Sequence, residues 1–220
     1  MNIISINRKA MEKTIFILTF FVLTLCCCKP HTASPTNETI AQQKTEVNQN
    51  SLEDVIIKTI KAYQNQDEES LNNFILKDFG IAFVHKPGTM EDIYIADKIS
   101  FNEPIPDYLP FDYNIITDYK IHFEELPVFD CNDEKWNKSY GIYCDTLNAV
   151  KTLSSIAKDR NEYFGGKYSV TEIKKFEAFE KKSHTVIVIG KQGNEFVFSL
   201  TFWQNKWYLT IINRFEVCSA

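Results

Sequence analysis

Hydrophobic residues recur at helical spacing where the body of the chain begins. The pattern runs from Ser51 to Gln64, and Ser51 with Asp54 forms a start that resembles a capping box. The apolar residues on one face are Leu52, Val55, Ile56, Ile60 and Tyr63. Asp67 is placed to cap a second, shorter helix. That helix carries Leu71, Phe74 and Ile75, so the two segments predict a pair of antiparallel helices.

A β-hairpin is predicted next. Residues 80–85 (GIAFVH) and 91–96 (EDIYIA) are short, mostly apolar runs of the length expected for strands. Pro87 and Gly88 supply the two central residues of a type II turn, in which glycine takes the positive φ.

The middle of the chain is rich in proline and aromatic residues. Residues 100–127 therefore predict an irregular loop, with one short strand at 120–124. We refer to residues 100–119 as the aromatic loop. Residues 146–158 predict a third helix, which Gly165 and Gly166 break. Its apolar face comprises Leu147, Val150, Leu153 and either Ile156 or Ala157.

The last fifty residues predict four antiparallel strands. The strands are residues 174–181, 185–189, 195–203 and 206–215. Because side chains alternate between faces, cross-strand partners must match in character. Pairing Trp203 with Lys206 sets Leu200 opposite Leu209 and makes one face of the last hairpin apolar. The same register pairs Phe198 with Ile211, Ser199 with Thr210, Val197 with Ile212 and Glu195 with Arg214.

These elements predict a single α+β domain over residues 51–220. Two helices, a hairpin, a further helix and a four-stranded antiparallel meander resemble, in their order, the NTF2-like fold. The resemblance covers most of residues 51–216. It implies a curved sheet that wraps a long helix and leaves a pocket.

Residues 1–27 have the pattern of a secretory signal peptide. Residues 15–25 are uncharged and mostly apolar, and Arg8, Lys9 and Lys13 precede them. Even when extended to Cys28 the run has 14 residues, whereas a helix needs roughly 20 to span a bilayer. Either Met1 or Met11 can start such a signal.

Three consecutive cysteines end this segment. They resemble the lipobox of bacterial lipoproteins, in which a leucine stands three residues before the lipid-modified cysteine and a small residue directly before it. Cys28 has Leu25 and Cys27 at these positions, whereas Cys26 has Leu23 and the bulky Leu25. The resemblance implies lipid attachment at Cys28. Ordinary signal cleavage with a secreted product is the alternative.

Residues 28–50 are predicted to form a disordered tether. They are rich in Thr, Asn, Gln and Pro, and they carry too little apolar surface to offset the entropy cost of ordering. Removing the signal takes away three of 24 basic and one of 29 acidic residues, so the mature net charge is −7. Because this balance repels phosphate backbones and anionic lipids, we expect no nucleic-acid partner and membrane attachment through the lipid.

Three cysteines lie in the body of the chain. Outside the cytoplasm two of them are expected to pair. We favour Cys131 with Cys218, because this bond would pin the tail of the chain to a polar turn. Cys131 with Cys144 is the alternative, and three buried free thiols would suit a cytosolic protein.

Four segments of the body resemble uncharacterised bacterial envelope lipoproteins. They are residues 80–88 (GIAFVHKPG), 129–131 with Trp136, 206–212 (KWYLTII) and 218–220 (CSA). The resemblance agrees with lipid attachment and with a disulfide. It implies no catalytic residue.

No motif for metal, phosphate or acyl-transfer chemistry occurs in the body. The histidines are scattered, CxxC and HExxH are missing, and the 7 glycines form no phosphate-binding loop. We therefore assign no catalytic residue, no metal and no cofactor. The alternative is an NTF2-like pocket enzyme that uses His85, or His122 beside Glu124 and Glu125, as the general base.

Two groups of residues are candidates for ligand binding. One side of the last hairpin suits a small polar or anionic molecule, unless it is an ordinary solvent-facing surface. Its residues are Ser199, Thr201, Tyr208, Thr210 and Arg214, beside Trp203. The aromatic loop can line a groove or pack over a sheet edge. Its aromatic residues include Phe101, Tyr108, Phe111, Tyr113 and Tyr119.

These features predict an exported, lipid-anchored domain of the cell envelope. Some bacterial lipoproteins use an acidic stretch after the modified cysteine as a signal for export to the cell surface. Residues 29–31 (KPH) lack such a stretch, so the resemblance implies a domain that faces the periplasm. The predicted role is that of a binding or accessory protein. Its expected partners are the membrane, through the lipid, and a small polar ligand or a protein.

Overall fold

The computed structural model of the protein describes residues 51–148, residues 152–214 and Cys218. The predicted signal peptide, Cys28 and the predicted tether therefore lie outside the described residues. Within the described ranges, no helix has both the length and the apolar character needed to cross a membrane.

Helices and strands alternate in blocks along the described chain. The helices are α1 (Leu52–Gln64), α2 (Glu68–Asn72), α3 (Leu153–Phe164) and α4 (Val170–Glu180). The strands are β1 (Ile81–His85), β2 (Asp92–Ala96), β3 (Ile121–Phe123), β4 (Phe129–Asp130), β5 (Lys135–Trp136), β6 (Gly141–Asp145), β7 (Ser183–Ile189), β8 (Glu195–Trp203) and β9 (Lys206–Asn213). The protein is therefore α+β, and β3 lies within the short strand predicted at 120–124.

Seven strands form one mixed sheet in the order β2-β1-β9-β8-β7-β6-β3. β1 pairs parallel with β9, and β3 pairs parallel with β6, whereas the other neighbours are antiparallel. β4 and β5 form a separate hairpin. The predicted four-stranded antiparallel meander is therefore wrong. The last three strands of the predicted meander are β7, β8 and β9, which form the centre of the seven-stranded sheet. The order of elements therefore differs from the one on which the NTF2-like resemblance was based.

The first elements agree with the sequence pattern, except that α2 ends at Asn72, before Phe74 and Ile75. Ser51 Oγ accepts a hydrogen bond of 3.1 Å from the Asp54 backbone N–H at the start of α1. Asp67 Oδ1 accepts a hydrogen bond of 3.0 Å from the Ser70 backbone N–H and caps α2. The predicted hairpin is β1–β2, and Gly88 in its turn has a φ of +107°. Local capping and turn chemistry therefore decide these elements.

Residues 174–181, predicted as a strand, lie almost entirely in α4. This helix begins with a capping box, in which Ser169 Oγ accepts a hydrogen bond from the Glu172 backbone N–H and the Glu172 carboxylate accepts one from the Ser169 N–H. Phe176 and Phe179 are three residues apart and both are buried. Helical spacing and the cap therefore outweigh the alternation of charged and apolar residues that suggested a strand.

The third helix lies later in the chain than predicted. The sequence pattern predicts residues 146–158, whereas α3 begins at Leu153. Strand β6, which the pattern missed, precedes this segment, and Asp145 at its end accepts hydrogen bonds from the backbone N–H groups of Leu147 and Asn148. This turn excludes a helix directly after β6. Of the predicted apolar face, Leu153, Ile156 and Ala157 are buried, Leu147 is exposed and Val150 lies outside the described residues.

The hairpin of β8 and β9 keeps the predicted register only near its turn. The pairs from Trp203–Lys206 to Leu200–Leu209 are confirmed. A β-bulge then inserts Thr210 as an extra residue, so Ser199 pairs with Ile211. Phe198 accordingly pairs with Ile212 and Val197 with Asn213. The predicted pairs from Ser199–Thr210 to Glu195–Arg214 are therefore wrong by one residue.

Both faces of the sheet are covered. The first face packs against α1, α2 and the aromatic loop, with Phe83, Phe198 and Leu209 among its buried residues. The second face carries two apolar clusters. One contains Val84 and Ile211 and packs against α3 and α4, and the other contains Ile187 and packs against Trp136 of β5.

A row of hydroxyl groups lies on the second face between these clusters. Along β8, Val197 packs with the Ile187 cluster and Trp203 with the α3–α4 cluster, and the hydroxyl residues lie between them. We call this row the hydroxyl seam; it comprises Ser183, Thr185, Ser199, Thr201 and Thr210. Thr201 Oγ1 lies 2.6 Å from Ser183 Oγ and 2.7 Å from Thr210 Oγ1. The buried hydroxyls thus satisfy one another.

Glu180 at the end of α4 is buried and caps the neighbouring helix α3. Its carboxylate accepts hydrogen bonds from the backbone N–H (3.0 Å) and the hydroxyl (2.5 Å) of Ser154, in the first turn of α3. Thr152 at the N-cap makes no side-chain hydrogen bond, so another helix supplies the cap. A negative charge is favourable at a helix N-terminus, which joins α3 and α4 into one unit.

We predict that Glu180→Gln lowers the free energy of unfolding by about 1–3 kcal/mol, because the amide loses the charge-assisted hydrogen bonds to Ser154. Urea denaturation at pH 7, followed by circular dichroism, measures this change. Glu162→Gln on the exposed side of α3 is the control, and we expect a change below about 0.5 kcal/mol. Equal values for the two variants would contradict the capping role of Glu180.

Candidate ligand-binding site

A cavity of about 420 Å³ lies beside the β4–β5 hairpin. The hairpin, the aromatic loop and the chain at the ends of β8 and β9 surround it. Its walls are mostly apolar, and a few polar side chains also reach it. The apolar lining includes Leu109, Val128, Phe129, Trp136, Ile187 and Val197, and the polar lining is Asp112, Glu195, Asn213 and Arg214.

Phe129 and Trp136 form the wall that the hairpin contributes. They are cross-strand partners, and their rings meet edge to face with centroids 5.3 Å apart. Val128 and Asn137 close the hairpin, because the Asn137 N–H donates to the Val128 carbonyl and the Val128 N–H donates to Asn137 Oδ1. Trp136 also packs against the apolar cluster that contains Ile187. The sheet therefore supports this wall from behind.

The indole N–H of Trp136 is an unpaired donor in this wall. Its nitrogen is buried, and no group in the described part of the chain accepts a hydrogen bond from it. A buried donor without an acceptor costs roughly 1–3 kcal/mol, and such a group in a folded protein calls for an explanation. Because Trp136 lines the cavity, a ligand bound there would lie next to the residue that carries this donor.

Two carboxylates lie at the cavity. Glu195 at the start of β8 is half-buried, and burial raises the pKa of its carboxyl, with the nearby Asp112 carboxylate raising it further. Asp112 is exposed and accepts hydrogen bonds of 3.1 Å from the Asn114 backbone N–H and from Asn194 Nδ2. The ion pairs among the described residues include neither carboxylate.

Arg214 directly follows β9 and is buried at the cavity. Its Nε donates a hydrogen bond of 3.1 Å to the Ile105 carbonyl, its Nη2 donates to the Leu109 carbonyl, and its guanidinium carbon lies 3.9 Å from the centre of the Phe111 ring. Burial lowers the pKa of Arg214, but a guanidinium stays protonated in proteins. Within the described ranges no carboxylate forms an ion pair with it.

Cys131 and Cys218 lie at disulfide distance, with their sulfur atoms 1.95 Å apart and a sequence separation of 87. This is the pairing that the sequence favoured. Cys144 is a free, buried thiol, so the alternative pairing does not form. Because Cys131 lies in the turn between β4 and β5, the bond ties the hairpin wall to the chain that follows Arg214.

The five residues predicted to form a ligand-binding face are in separate environments. Ser199, Thr201 and Thr210 belong to the buried hydroxyl seam, and Tyr208 packs at the margin of the α3–α4 cluster. Arg214 lines the cavity. The bulge at Thr210 separates Arg214 from the others, because it shifts the alternation of the residues that follow it.

His85 lies at the end of β1, directly opposite Asp92 on β2. Burial lowers the pKa of His85, and its Nδ1 has no hydrogen-bond partner in the described part of the chain. The Asp92 carboxylate instead lies 2.6 Å from Lys167 Nζ and 3.6 Å from an Arg160 Nη2 atom. The structure places a histidine next to a carboxylate here without a hydrogen bond between the two side chains.

His122 lies on β3 and stacks on the ring of Tyr143, with centroids 5.2 Å apart. The carboxylate of Glu124 lies 3.1 Å from Lys138 Nζ. Neither His122 nor His85 lines the cavity beside Trp136. The pocket-enzyme hypothesis therefore has no hydrogen bond between histidine and carboxylate to support it in the described ranges.

The aromatic loop covers the first face of the sheet. Tyr63 of α1 stacks on Phe196 with centroids 3.8 Å apart, and Phe101 and Phe111 pack around Tyr63. Burial raises the pKa of the Tyr63 hydroxyl well above its ordinary value. Tyr108, in contrast, is exposed. Phe101 and Phe111 therefore anchor the loop to the core, and the Ile105 and Leu109 carbonyls of the loop hold Arg214 at the cavity.

No set of three or more His, Cys, Asp and Glu side chains in the described ranges is arranged to hold a metal ion. Comparison of the chain with protein-family models, with curated proteins and with solved structures found no match. The resemblance to envelope lipoproteins stays a prediction. The candidate site consequently rests on the geometry of the cavity.

Sequence patterns did not single out Trp136, Glu195 or Asp112 as site residues. Trp136 follows a polar turn, and Glu195 was expected to pair with Arg214 across the hairpin. One feature of the sequence could have indicated Trp136: it lies five positions after Cys131. A disulfide between Cys131 and Cys218 brings the hairpin that carries Trp136 to the end of β9. The aromatic loop and β8 contribute the other groups from distant parts of the chain.

We predict that the double variant Cys131→Ser/Cys218→Ser loses about 2–4 kcal/mol of the free energy of unfolding, because the unfolded chain regains the freedom of a long loop. Urea denaturation of the oxidised protein and of the variant measures the loss. Wild-type protein under reducing conditions is the control and should match the variant. A variant as stable as the oxidised protein would contradict a stabilising disulfide.

Proposed function

We propose that this chain is an exported, lipid-anchored binding domain of the cell envelope, and that a small ligand binds in the cavity beside Trp136. The observation that carries the proposal is the unpaired, buried indole N–H of Trp136, a residue that lines a mostly apolar cavity. Ligand sites have this composition, with apolar walls and a few polar groups that fix orientation.

The size and support of the cavity favour a small molecule as the ligand. About 420 Å³ lies within the range of roughly 300–1,000 Å³ found for small-molecule sites. The sheet behind Trp136 and the disulfide at Cys131 both restrain the hairpin wall. A restrained wall reduces the entropy lost on binding.

The N-terminal sequence supports export and anchoring. The apolar run of residues 15–25 is too short to span a bilayer, and Leu25 stands three residues before Cys28. The pairing of Cys131 with Cys218 suits an oxidising compartment, which lies outside the cytoplasm. In the proposed arrangement the lipid on Cys28 holds the domain on the periplasmic side of a membrane, and residues 29–50 form the tether.

Mass spectrometry of the mature protein, purified from the membrane fraction, tests the anchor. We expect an N-terminal, acylated Cys28, and we expect Cys28→Ala to leave the membrane fraction because the lipid is its attachment. Cys26→Ala is the matched control and should stay lipidated. A mature protein with an unmodified N-terminal residue would contradict the anchor and leave ordinary secretion.

Nuclear magnetic resonance of the indole N–H groups tests the binding site. The chain has 3 tryptophans, and Trp136→Phe assigns the signal of interest by its loss. We expect ligands from a library of neutral, cationic, anionic and zwitterionic compounds to shift the Trp136 signal and not those of Trp203 and Trp207, which lie outside the cavity. If no compound in such a library shifts the Trp136 signal, the proposed site is wrong.

A further inference from the structure

The cavity contains charges of both signs that do not neutralise each other. Glu195 and Asp112 contribute two carboxylates, and Arg214 contributes a guanidinium. The described ion pairs contain none of these three residues. A site with this pattern differs from one that attracts a simple anion or a simple cation.

The β-bulge explains why Glu195 and Arg214 are not paired. Without Thr210 as an extra residue, the register of the hairpin would set Glu195 opposite Arg214. In the structure Val197 pairs with Asn213, and the Arg214 side chain packs on Phe111 of the aromatic loop. The opposite charges therefore lie at one cavity without a direct contact.

The hydrogen-bonding groups divide in the same way. Trp136 offers a donor without an acceptor, and Arg214 has five N–H donors, of which the Ile105 and Leu109 carbonyls engage two atoms, Nε and Nη2. The carboxylates of Glu195 and Asp112 are acceptors. A ligand that satisfies both sets must present an acceptor with negative charge and a donor with positive charge.

The apolar walls add a third requirement. Val128, Phe129 and Ile187 line the cavity and offer no hydrogen bond through their side chains. An apolar group of the ligand would remove this surface from water, at roughly 25 cal/mol per Å² of buried apolar area on both molecules.

Building on the proposed function, we infer that the cavity binds a zwitterionic ligand of the amino-acid class, with an apolar side chain. Its ammonium group lies toward Glu195 and Asp112. Its carboxylate accepts hydrogen bonds from the Trp136 indole and lies toward the Arg214 guanidinium. Its side chain contacts the apolar wall of Val128 and Phe129.

Three probes that share a phenyl group on a two-carbon linker test the inference. L-phenylalanine carries both charged groups, 2-phenylethylamine lacks the carboxylate, and 3-phenylpropanoate lacks the ammonium group. Isothermal titration calorimetry at pH 7, on the intact mature protein, measures their affinities. We expect L-phenylalanine to bind at least about tenfold more tightly than either analogue, because each analogue leaves one charge of the site without a partner.

Two variants assign the two ends of the ligand. Trp136→Phe keeps the aromatic ring and removes the donor, so it should weaken L-phenylalanine and 3-phenylpropanoate and leave 2-phenylethylamine unchanged. Glu195→Gln should weaken L-phenylalanine and 2-phenylethylamine and leave 3-phenylpropanoate unchanged. Both variants should fold, because one keeps the apolar ring and the other removes a charge that burial disfavours. Glu103→Gln, an exposed residue outside the cavity lining, is the control and should change no affinity.

The outcomes separate this inference from the proposed function. If 2-phenylethylamine or 3-phenylpropanoate binds as tightly as L-phenylalanine, the ligand is not zwitterionic, whereas the cavity remains a binding site. If none of the probes binds while other compounds shift the Trp136 signal, the ligand class is wrong and the site stands. If no compound shifts that signal, both proposals fail.

Discussion

The β-bulge at Thr210 is the constraint on which the arrangement of the sheet depends. Leu209 and Ile212 are three positions apart, and both pack on the first face because the bulge adds one residue between them. Ile211 packs on the second face, against α3 and α4. Without the bulge, every residue after Leu209 in β9 would exchange faces. Parallel strand β1 pairs with this same stretch of β9, so its position depends on the bulge as well.

Buried polar groups in this protein find partners on elements that are distant in sequence. Glu180 of α4 caps α3, and the carbonyls of the aromatic loop hold Arg214 after β9. The hydroxyl seam follows the same rule, because Thr201 of β8 lies at hydrogen-bond distance from both Ser183 of β7 and Thr210 of β9. Five buried side-chain atoms in the described ranges depart from it, on Thr59, His85, Thr117, Trp136 and Asn194. Of these residues, Trp136 lines the cavity, and this is the reason for placing the ligand there.

The parts of the fold that local chemistry decides were predictable from the sequence. The caps at Ser51 and Asp67 and the turn at Gly88 lie within a few residues of the elements they begin or join. The helix α4 was missed because charged and apolar residues alternate in part of it. Strand β6 was missed because all five of its residues are buried, so it lacks the alternation of polar and apolar residues that marks a half-buried strand. The parallel pairing of β1 with β9 joins segments more than a hundred residues apart, which no local pattern indicates. The site depends on that same tertiary arrangement, so Arg214 is the only polar residue of the cavity lining that the sequence pattern singled out.

The central position of β9 has a consequence for how the chain folds. β9 lies between β1 and β8, although it is the last strand in sequence. A chain that leaves the ribosome or a translocation channel with its N-terminus first must hold β1 and β2 without their inner neighbour until residues 206–213 emerge. During that interval the apolar edge of β1 is open to pairing with other strands. The sheet is therefore expected to fold late and cooperatively. A chaperone that covers the edge of β1 would prevent it from pairing with other strands during this interval.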